Sequence, residues 1–202
     1  MHLVVFGGGG KVARHVARLR GSNQVTNDDL RSLGATPAIL SLEASSAQDI
    51  SNLLSEWNAD AVLFAAGAGG KGGIERTRKV DYEGALKVYQ GCKLSGVKRF
   101  IMISAVDVHM QAKYDAEKAL HDTELEYTVL RPGGLTDEPA AGAEVGVTQL
   151  KTTSRELVAK ACWEVLAQSG SAGLTLDIMD GDGDLSAEIA QCVENRADAW
   201  TG

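Results

Sequence analysis

Short apolar runs recur along this chain, and segments with helical periodicity separate them. Leu3–Phe6, Pro37–Leu42, Ala61–Ala65, Phe100–Ser104, Tyr127–Leu130 and Leu174–Ile178 read as strands. Most are apolar at successive positions rather than alternate ones, which is the pattern of strands covered on both faces. Lys11–Leu19, Asp28–Leu33, Gln48–Trp57, Tyr82–Ser95, Gln111–Asp122, Ser154–Gln168 and Leu185–Asn195 read as helices. Caps agree with these boundaries: Ser45 or Ser46 before Ile50, Thr153 or Ser154 before Arg155, and Gly96 after Ser95. Strands alternating with helices predict an α/β fold with a doubly wound, mostly parallel sheet in three αβα layers.

The segment after the first helix breaks the rhythm. It reads GSNQVTNDDLRSLGA, in which only Gln24–Thr26 looks extended. An ordinary strand runs about five or six residues, so the second strand of such a sheet is expected to be abbreviated. No internal repeat or linker divides the 202 residues, and a single domain is expected over 1–202.

Composition narrows the function classes. Hydrophobic content of 44% and charged content of 23% fit an ordinary globular chain. The net charge is −7 with no basic tract, which argues against nucleic acid or an anionic membrane as partner. Cys92, Cys162 and Cys192 lack metal-type spacing and fit free thiols in a reducing compartment. The first apolar run is too short for a signal peptide or a membrane span, so a cytoplasmic protein is expected.

Candidate chemistry begins at the first turn. The strand Leu3–Phe6 runs into Gly7, Gly8, Gly9 and Gly10, and a helix opens at once with Lys11 and Val12. Such a turn lets backbone pass close to a pyrophosphate, while the helix N-terminus offers free N–H groups and a partial positive charge. Ala13 stands where a third glycine would let the helix lie close to the sheet. Ala65, Ala66 and Gly67 follow the Ala61–Ala65 run and leave room along the strand ends for a dinucleotide. Asp81 begins a later helix, where it reads equally as an acidic cap or a cofactor contact.

Five segments carry a family likeness: VVFGGGGKVARHV at the start, FAAGAGG at Phe64–Gly70, VDYEGA at Val80–Ala85, GVKRFIMIS at Gly96–Ser104 and LRPGGLTDEP at Leu130–Pro139. In these the chain resembles the atypical short-chain dehydrogenase/reductases, in particular the small NAD(P)-binding, NmrA-like group, over residues 1–180. The resemblance implies a Rossmann-like sheet and NADP or NAD at the strand ends. It also implies a small-molecule substrate above the nicotinamide, with Arg131, Pro132 and Gly133 beside that position.

Reductases of this superfamily use a Ser at the strand end and a Tyr-x-x-x-Lys helix, in which the Tyr moves the substrate proton and the Lys holds ribose. Ser104 falls at the expected place. The literal match is Tyr114 with Lys118. The alternative alignment makes Lys113 the cofactor lysine and puts His109 where the Tyr belongs; it is preferred because it keeps the spacing to YTVLRPGG. His109 then reads either as a replacement acid/base or as a loop histidine without a role. Cofactor choice normally rests on residues after the second strand; here only Asn27, Asp28 and Arg31 are available.

Other motifs weigh less. Asp180-Gly-Asp182-Gly-Asp184 lacks the glycine and terminal glutamate of a calcium loop and reads as a turn before the last helix; no metal is expected. Lys71 lacks a phosphate-loop register. Trp57, Trp163 and Trp200 read as packing residues. The expectation is an NAD(P)-dependent oxidoreductase for a small carbonyl, quinone or enone, acting as monomer or homodimer. The alternatives are a catalytically silent NADP(H)-binding regulator and a non-redox isomerase or cyclase on the same fold.

Overall fold

The computed structural model describes residues 1–20, 30–31, 33–69, 73–106 and 111–201. Its strands are β1 Leu3–Phe6, β2 Ala61–Phe64, β3 Arg99–Ile103, β4 Glu126–Pro132, β5 Gly134–Thr136, β6 Gly142–Gly146, β7 Thr152–Ser154 and β8 Leu174–Gly181. Its helices are α1 Lys11–Arg20, α2 Ala47–Glu56, α3 Gly73–Thr77, α4 Gly84–Ser95, α5 Gln111–His121, α6 Arg155–Ala167 and α7 Leu185–Asn195. A π-helical segment, Arg78–Glu83, joins α3 to α4.

Among the described residues the main sheet runs β1-β2-β3-β4-β8-β6. The first five are parallel, and β6 lies antiparallel on β8. Apolar residues on successive strand positions bury both faces. Helices α2, α4 and α5 cover one face, through Ile50, Leu54, Val88, Cys92, Ala116 and Leu120 packed on Phe64, Phe100 and Met102. Helices α1, α6 and α7 cover the other, where Val16, Leu157, Cys162 and Ile189 meet Leu63, Ile101 and Leu176. The result is the expected Rossmann-like three-layer αβα arrangement. Ser46 caps α2 through a reciprocal pair with Asp49, and Gly96 ends α4 at φ 80°. All three cysteines are buried, and burial pushes the Cys92 and Cys162 thiols up to about 12, which makes those two inert.

One strand expectation fails. Pro37–Leu42 joins no ladder: Ile39 is fully exposed, and only Leu40 and Leu42 pack against the core. Lys87 Nζ takes the carbonyls of Leu42 and Glu43 at 2.8 and 3.1 Å, which satisfies backbone that a neighbouring strand would otherwise pair. The expected extended stretch Gln24–Thr26 and half of the expected helix Asp28–Leu33 lie outside the described residues; Leu30, Arg31 and Leu33 lie in turns, with Leu33 N–H donating to the Leu30 carbonyl at 3.2 Å. The small strands β5, β6 and β7 and the π segment carry no clear periodicity, being short or rich in Gly and Thr.

The chain crosses itself at the sheet's C-terminal end. Gly133 follows β4, and a Cβ there would run into the Lys151 carbonyl just before β7 and come within 2.9 Å of Met179 Sδ. The Gly133 N–H donates to Thr153 Oγ1 at 2.9 Å. Glycine is therefore required by the protein's own packing at this point.

A buried ion pair ties β4 to α5. Arg131 Nε and Nη2 both donate to Glu117 Oε2, at 2.9 and 2.6 Å, while Nη1 donates to the Ala199 carbonyl at 3.0 Å. The Glu117 side chain is 1% exposed and that of Arg131 14%. The tail holding Ala199 lies along β8, with Ala199 N–H donating to the Thr175 carbonyl at 2.8 Å. Trp200 then stacks on His121 (centroids 4.1 Å apart) and on Tyr114 (5.4 Å), with the Arg131 guanidinium 5.5 Å from its ring.

Two substitutions test this packing by urea denaturation. Gly133→Ala is expected to lower stability by about 3 kcal/mol, because the backbone it would meet cannot withdraw easily. Glu117→Ala is expected to cost ~3–5 kcal/mol, since it leaves Arg131 buried without its partner. A loss below ~1 kcal/mol in either variant would contradict the packing described.

Candidate dinucleotide and active site

The parallel strands deliver their C-terminal ends to one side of the sheet, where open α/β folds take ligands. The first loop there is the glycine turn. Gly7 adopts φ 90°, and a Cβ on it would lie 2.7 Å from Ala66 Cα, so the turn is held against the end of β2. Ala65 N–H donates to the Phe6 carbonyl at 2.9 Å, and Gly10 N–H closes back on the Gly7 carbonyl at 2.9 Å. Gly8 and Gly9 differ. Among the described residues, a Cβ on Gly8 would make only ordinary contact with Leu30, and one on Gly9 would meet nothing within 4 Å. The fold itself does not need a glycine at Gly9, so its bareness leaves room for a ligand's backbone-close approach. With the free N–H groups opening α1, this cradle fits a dinucleotide pyrophosphate.

Lys11 and Val12 open that helix. Val12 packs on the core. Lys11 Nζ reaches Asp137 at 2.8 Å, and Arg155 reaches the other oxygen of Asp137 at 2.8 Å. The LTDEP segment is thus tied to the glycine turn. Lys11 and Asp137 are well exposed, so that tie adds little stability. Its cations nevertheless stand at the mouth of an anion-binding turn.

The second group is built by the π segment. The extra residue in its turn sets Asp81 into the protein instead of at a helix start, and its side chain is 3% exposed. Asp81 Oδ2 accepts from Ala68 N–H at 2.9 Å, fixing the loop after β2. Gly67 lies against the same carboxylate, where a Cβ would be 3.1 Å from Asp81 Oδ1. Asp81 therefore acts neither as a cap nor as a solvent-exposed acid.

Lys113 comes from the first turn of α5. Its ammonium lies 3.6 Å from Asp81 Oδ1 and donates to the Ile103 carbonyl at 3.3 Å, one residue before Ser104. Burial pushes its pKa below the usual lysine range, and Asp81 and Glu117 oppose that shift. Glu117 stands one turn further along the same face of α5. Burial pushes its carboxyl up, against the pull of Arg131, the Ser104 hydroxyl and Lys113. The Ser104 hydroxyl is buried at the end of β3 and forms no well-shaped hydrogen bond among the described residues. Across β4, Asp177 pairs in register with Arg131, and burial pushes its carboxyl up as well. Asp81, Lys113, Glu117, Arg131 and Asp177 thus form a buried row of alternating sign.

Ser104, Lys113 and Asp81 come together at the strand ends, near the glycine turn that Ala65, Ala66 and Gly67 support. Tyr114 does not join them; it stacks on Trp200, and Lys118 beside it is exposed. Arg131 is committed to Glu117 and the tail. Pro132 is buried, and the space at Gly133 is filled by the chain itself. His109, Lys71, Asn27 and Asp28 lie outside the described residues. The Asp180-Gly-Asp182-Gly-Asp184 turn is structural: Asp184 accepts from Ala187 N–H at 2.9 Å and caps α7. Sequence reasoning missed Glu117, whose only signal is its four-residue spacing from Lys113; Trp200 packs as expected, on partners the sequence does not name.

Comparisons with known proteins agree with this geometry. The sequence profile of the NAD(P)H-binding family matches residues 7–169. A UPF0659 protein of Schizosaccharomyces pombe is 33% identical, with 98% of this chain and 97% of the relative covered. That alignment spans 241 positions against the 202 residues of this chain, so the relative carries residues that this chain lacks. A solved putative NAD-dependent epimerase/dehydratase from Bacillus halodurans superposes with a TM-score of 0.83 at 29% identity, covering 95% of this chain and 99% of that one. A short-chain dehydrogenase/reductase from Veillonella parvula, solved with NADP, shares the fold at a TM-score of 0.67 and 14% identity, covering 90% of this chain and 97% of that one. With its glycine cradle, its Rossmann-like sheet and this profile match, the chain belongs to the NAD(P)H-binding family.

Proposed function

We propose that the protein is a cytoplasmic NAD(P)-dependent oxidoreductase that reduces a small carbonyl, quinone or enone, as a monomer or homodimer. The observation that carries this reading is the meeting of a buried lysine, Lys113, with the end of β3 at Ile103 and Ser104, on the side of the sheet that holds the glycine turn. In this reading Gly7, Gly8, Gly9, Gly10 and the α1 N-terminus hold the pyrophosphate, with Lys11 and Val12 at its edge. Ala65, Ala66 and Gly67 line the dinucleotide's path, and Asp81 orders that loop. Lys113 holds the nicotinamide ribose, and Ser104 orients the substrate oxygen. The bound dinucleotide supplies the hydride.

A second reading, a dinucleotide-binding regulator without turnover, is favoured by one observation: Tyr114 is stacked on Trp200 rather than placed beside Ser104. The Bacillus halodurans relative's description as an epimerase/dehydratase keeps a non-redox reaction as the third. Oxidation of NADPH by the purified protein across a panel of carbonyls, quinones and enones separates these readings. Sustained substrate-dependent oxidation supports the first, and tight binding without turnover supports the second.

The cradle is tested apart from the chemistry. Gly9→Leu places a side chain in open space and is expected to change stability by under ~0.5 kcal/mol. It is expected to weaken NADPH binding by a factor of about 100 or more, because the leucine occupies the pyrophosphate path. Unchanged affinity in titration by nicotinamide fluorescence would place the cofactor elsewhere.

A further inference from the structure

The phenol that the Tyr-x-x-x-Lys arrangement uses as its acid has no counterpart in this site. The chain contains four tyrosines, and each is engaged elsewhere. Tyr82 lies under the Arg78 guanidinium at 5.1 Å and packs against the core. Tyr89 is buried, with its hydroxyl donating to the Ala116 carbonyl at 3.1 Å. Tyr114 stacks on Trp200, and Tyr127 pairs its hydroxyl with His121 Nδ1 at 2.9 Å.

What does stand beside Ser104 is an ammonium. Lys113 Nζ carries three donors. Among the described residues the Ile103 carbonyl takes one of them at 3.3 Å, and Asp81 pairs by charge at 3.6 Å, which leaves two N–H groups for ligands, one for the ribose and one for the substrate oxygen. The charged groups facing it are Asp81 from the π segment and Glu117 from its own helix, with Arg131 of β4 behind Glu117. Burial makes this ammonium a better acid than an exposed lysine, and the two carboxylates keep it from losing its proton outright.

We propose that Lys113 itself delivers the proton to the substrate oxygen, in place of the missing phenol. The inference rests on the oxidoreductase reading. The substrate's carbonyl carbon receives a hydride, with its electron pair, from the reduced dinucleotide. The carbonyl π pair moves to oxygen, which takes a proton from Lys113 Nζ while Ser104 donates a hydrogen bond to it. The products are the alcohol, the oxidised dinucleotide and a neutral Lys113 amine, which regains its proton from water. Asp81 is a positioning residue in this step: it holds the ammonium in place and favours its charged form.

Lys113→Arg separates holding from donating, because a guanidinium keeps the charge but is effectively never deprotonated. With NADPH as cofactor and 9,10-phenanthrenequinone with a matched aryl ketone as acceptors, Lys113→Arg is expected to keep the NADPH Kd within about threefold while kcat falls by ~100-fold or more. The wild-type kcat is expected to fall as pH rises through the Lys113 pKa, since the ammonium is the active form. Asp81→Asn removes a charge that favours the ammonium, so the falling limb moves to lower pH. Nitrogen-15 NMR of labelled lysine reads the same shift without any turnover: Lys113 should titrate below an ordinary lysine, and lower still in Asp81→Asn.

Undiminished kcat in Lys113→Arg, or a limb that does not move in Asp81→Asn, overturns the proposal and leaves the oxidoreductase reading standing. Loss of turnover in His109→Ala with Lys113→Arg unimpaired also overturns it and assigns the proton to His109. A wild-type protein that binds NADPH but reduces neither acceptor overturns the reading and the proposal together.

Discussion

Charge buried without a partner is among the most costly arrangements a fold can hold, and this fold sets buried charges of alternating sign beside one another across the top of its sheet. Asp81, Lys113, Glu117, Arg131 and Asp177 alternate in sign, and they come from the π segment, α5, β4 and β8. Each removal from water is offset by a neighbour of opposite sign or by backbone hydrogen bonds, as at Ala68, Ile103, Ala199 and Thr148. Lys113 and Asp81, and Arg131 and Glu117, cannot part without stranding a buried charge. The row therefore fixes the position of α5 relative to the strands, and α5 carries the lysine that faces the site. Such a row is a poor source of net stability, since apolar residues of equal volume would do as well or better. Its value lies in setting one geometry at the strand ends, on the glycine turn's side of the sheet.

Several irregular features make sense as supports of that row. The π segment spends helical regularity to turn Asp81 inward, and the same carboxylate orders the Ala68 backbone beside the glycine turn. The C-terminal tail closes the far side, giving Arg131 a carbonyl and Trp200 a place between Tyr114 and His121. Gly7 and Gly133 let backbones cross at close range at the two ends of this region. Gly9 is the counter-example. Nothing among the described residues requires it, so its lack of a side chain points outward, toward what the turn receives.

Much of the architecture was legible because it rests on local signals. Apolar runs of strand length, glycines after the first strand, and caps at Ser46 and Gly96 all report short-range preferences that tertiary contacts left intact. Pro37–Leu42 misled because an apolar run shows that burial is available, not that a ladder partner exists; Lys87 took carbonyls at its end instead. Position along a strand or helix was legible, as with Gly7 to Gly10 after β1, Ser104 at the end of β3 and Lys113 on the first turn of α5. The site was illegible where it depends on pairing between distant elements. Arg131 reads from the sequence as a cofactor neighbour, and only its contact with Glu117 shows its guanidinium bound inside the protein. Trp200 lies 86 positions from Tyr114 in the chain, and no periodicity predicts their stacking.

The central claim is that a dinucleotide binds across the glycine turn and that the buried row holds the catalytic lysine ready for it. Backbone hydrogen exchange measured with and without saturating NADPH tests this most directly, since it reads where binding protects the chain. The account predicts added protection at residues 7–13 and 65–68 and at the start of α5 near Lys113. It also predicts that the buried backbone of α5 at Glu117 and of β4 at Arg131 exchanges slowly with or without NADPH. Protection confined to another region, or none at saturating NADPH, would contradict it.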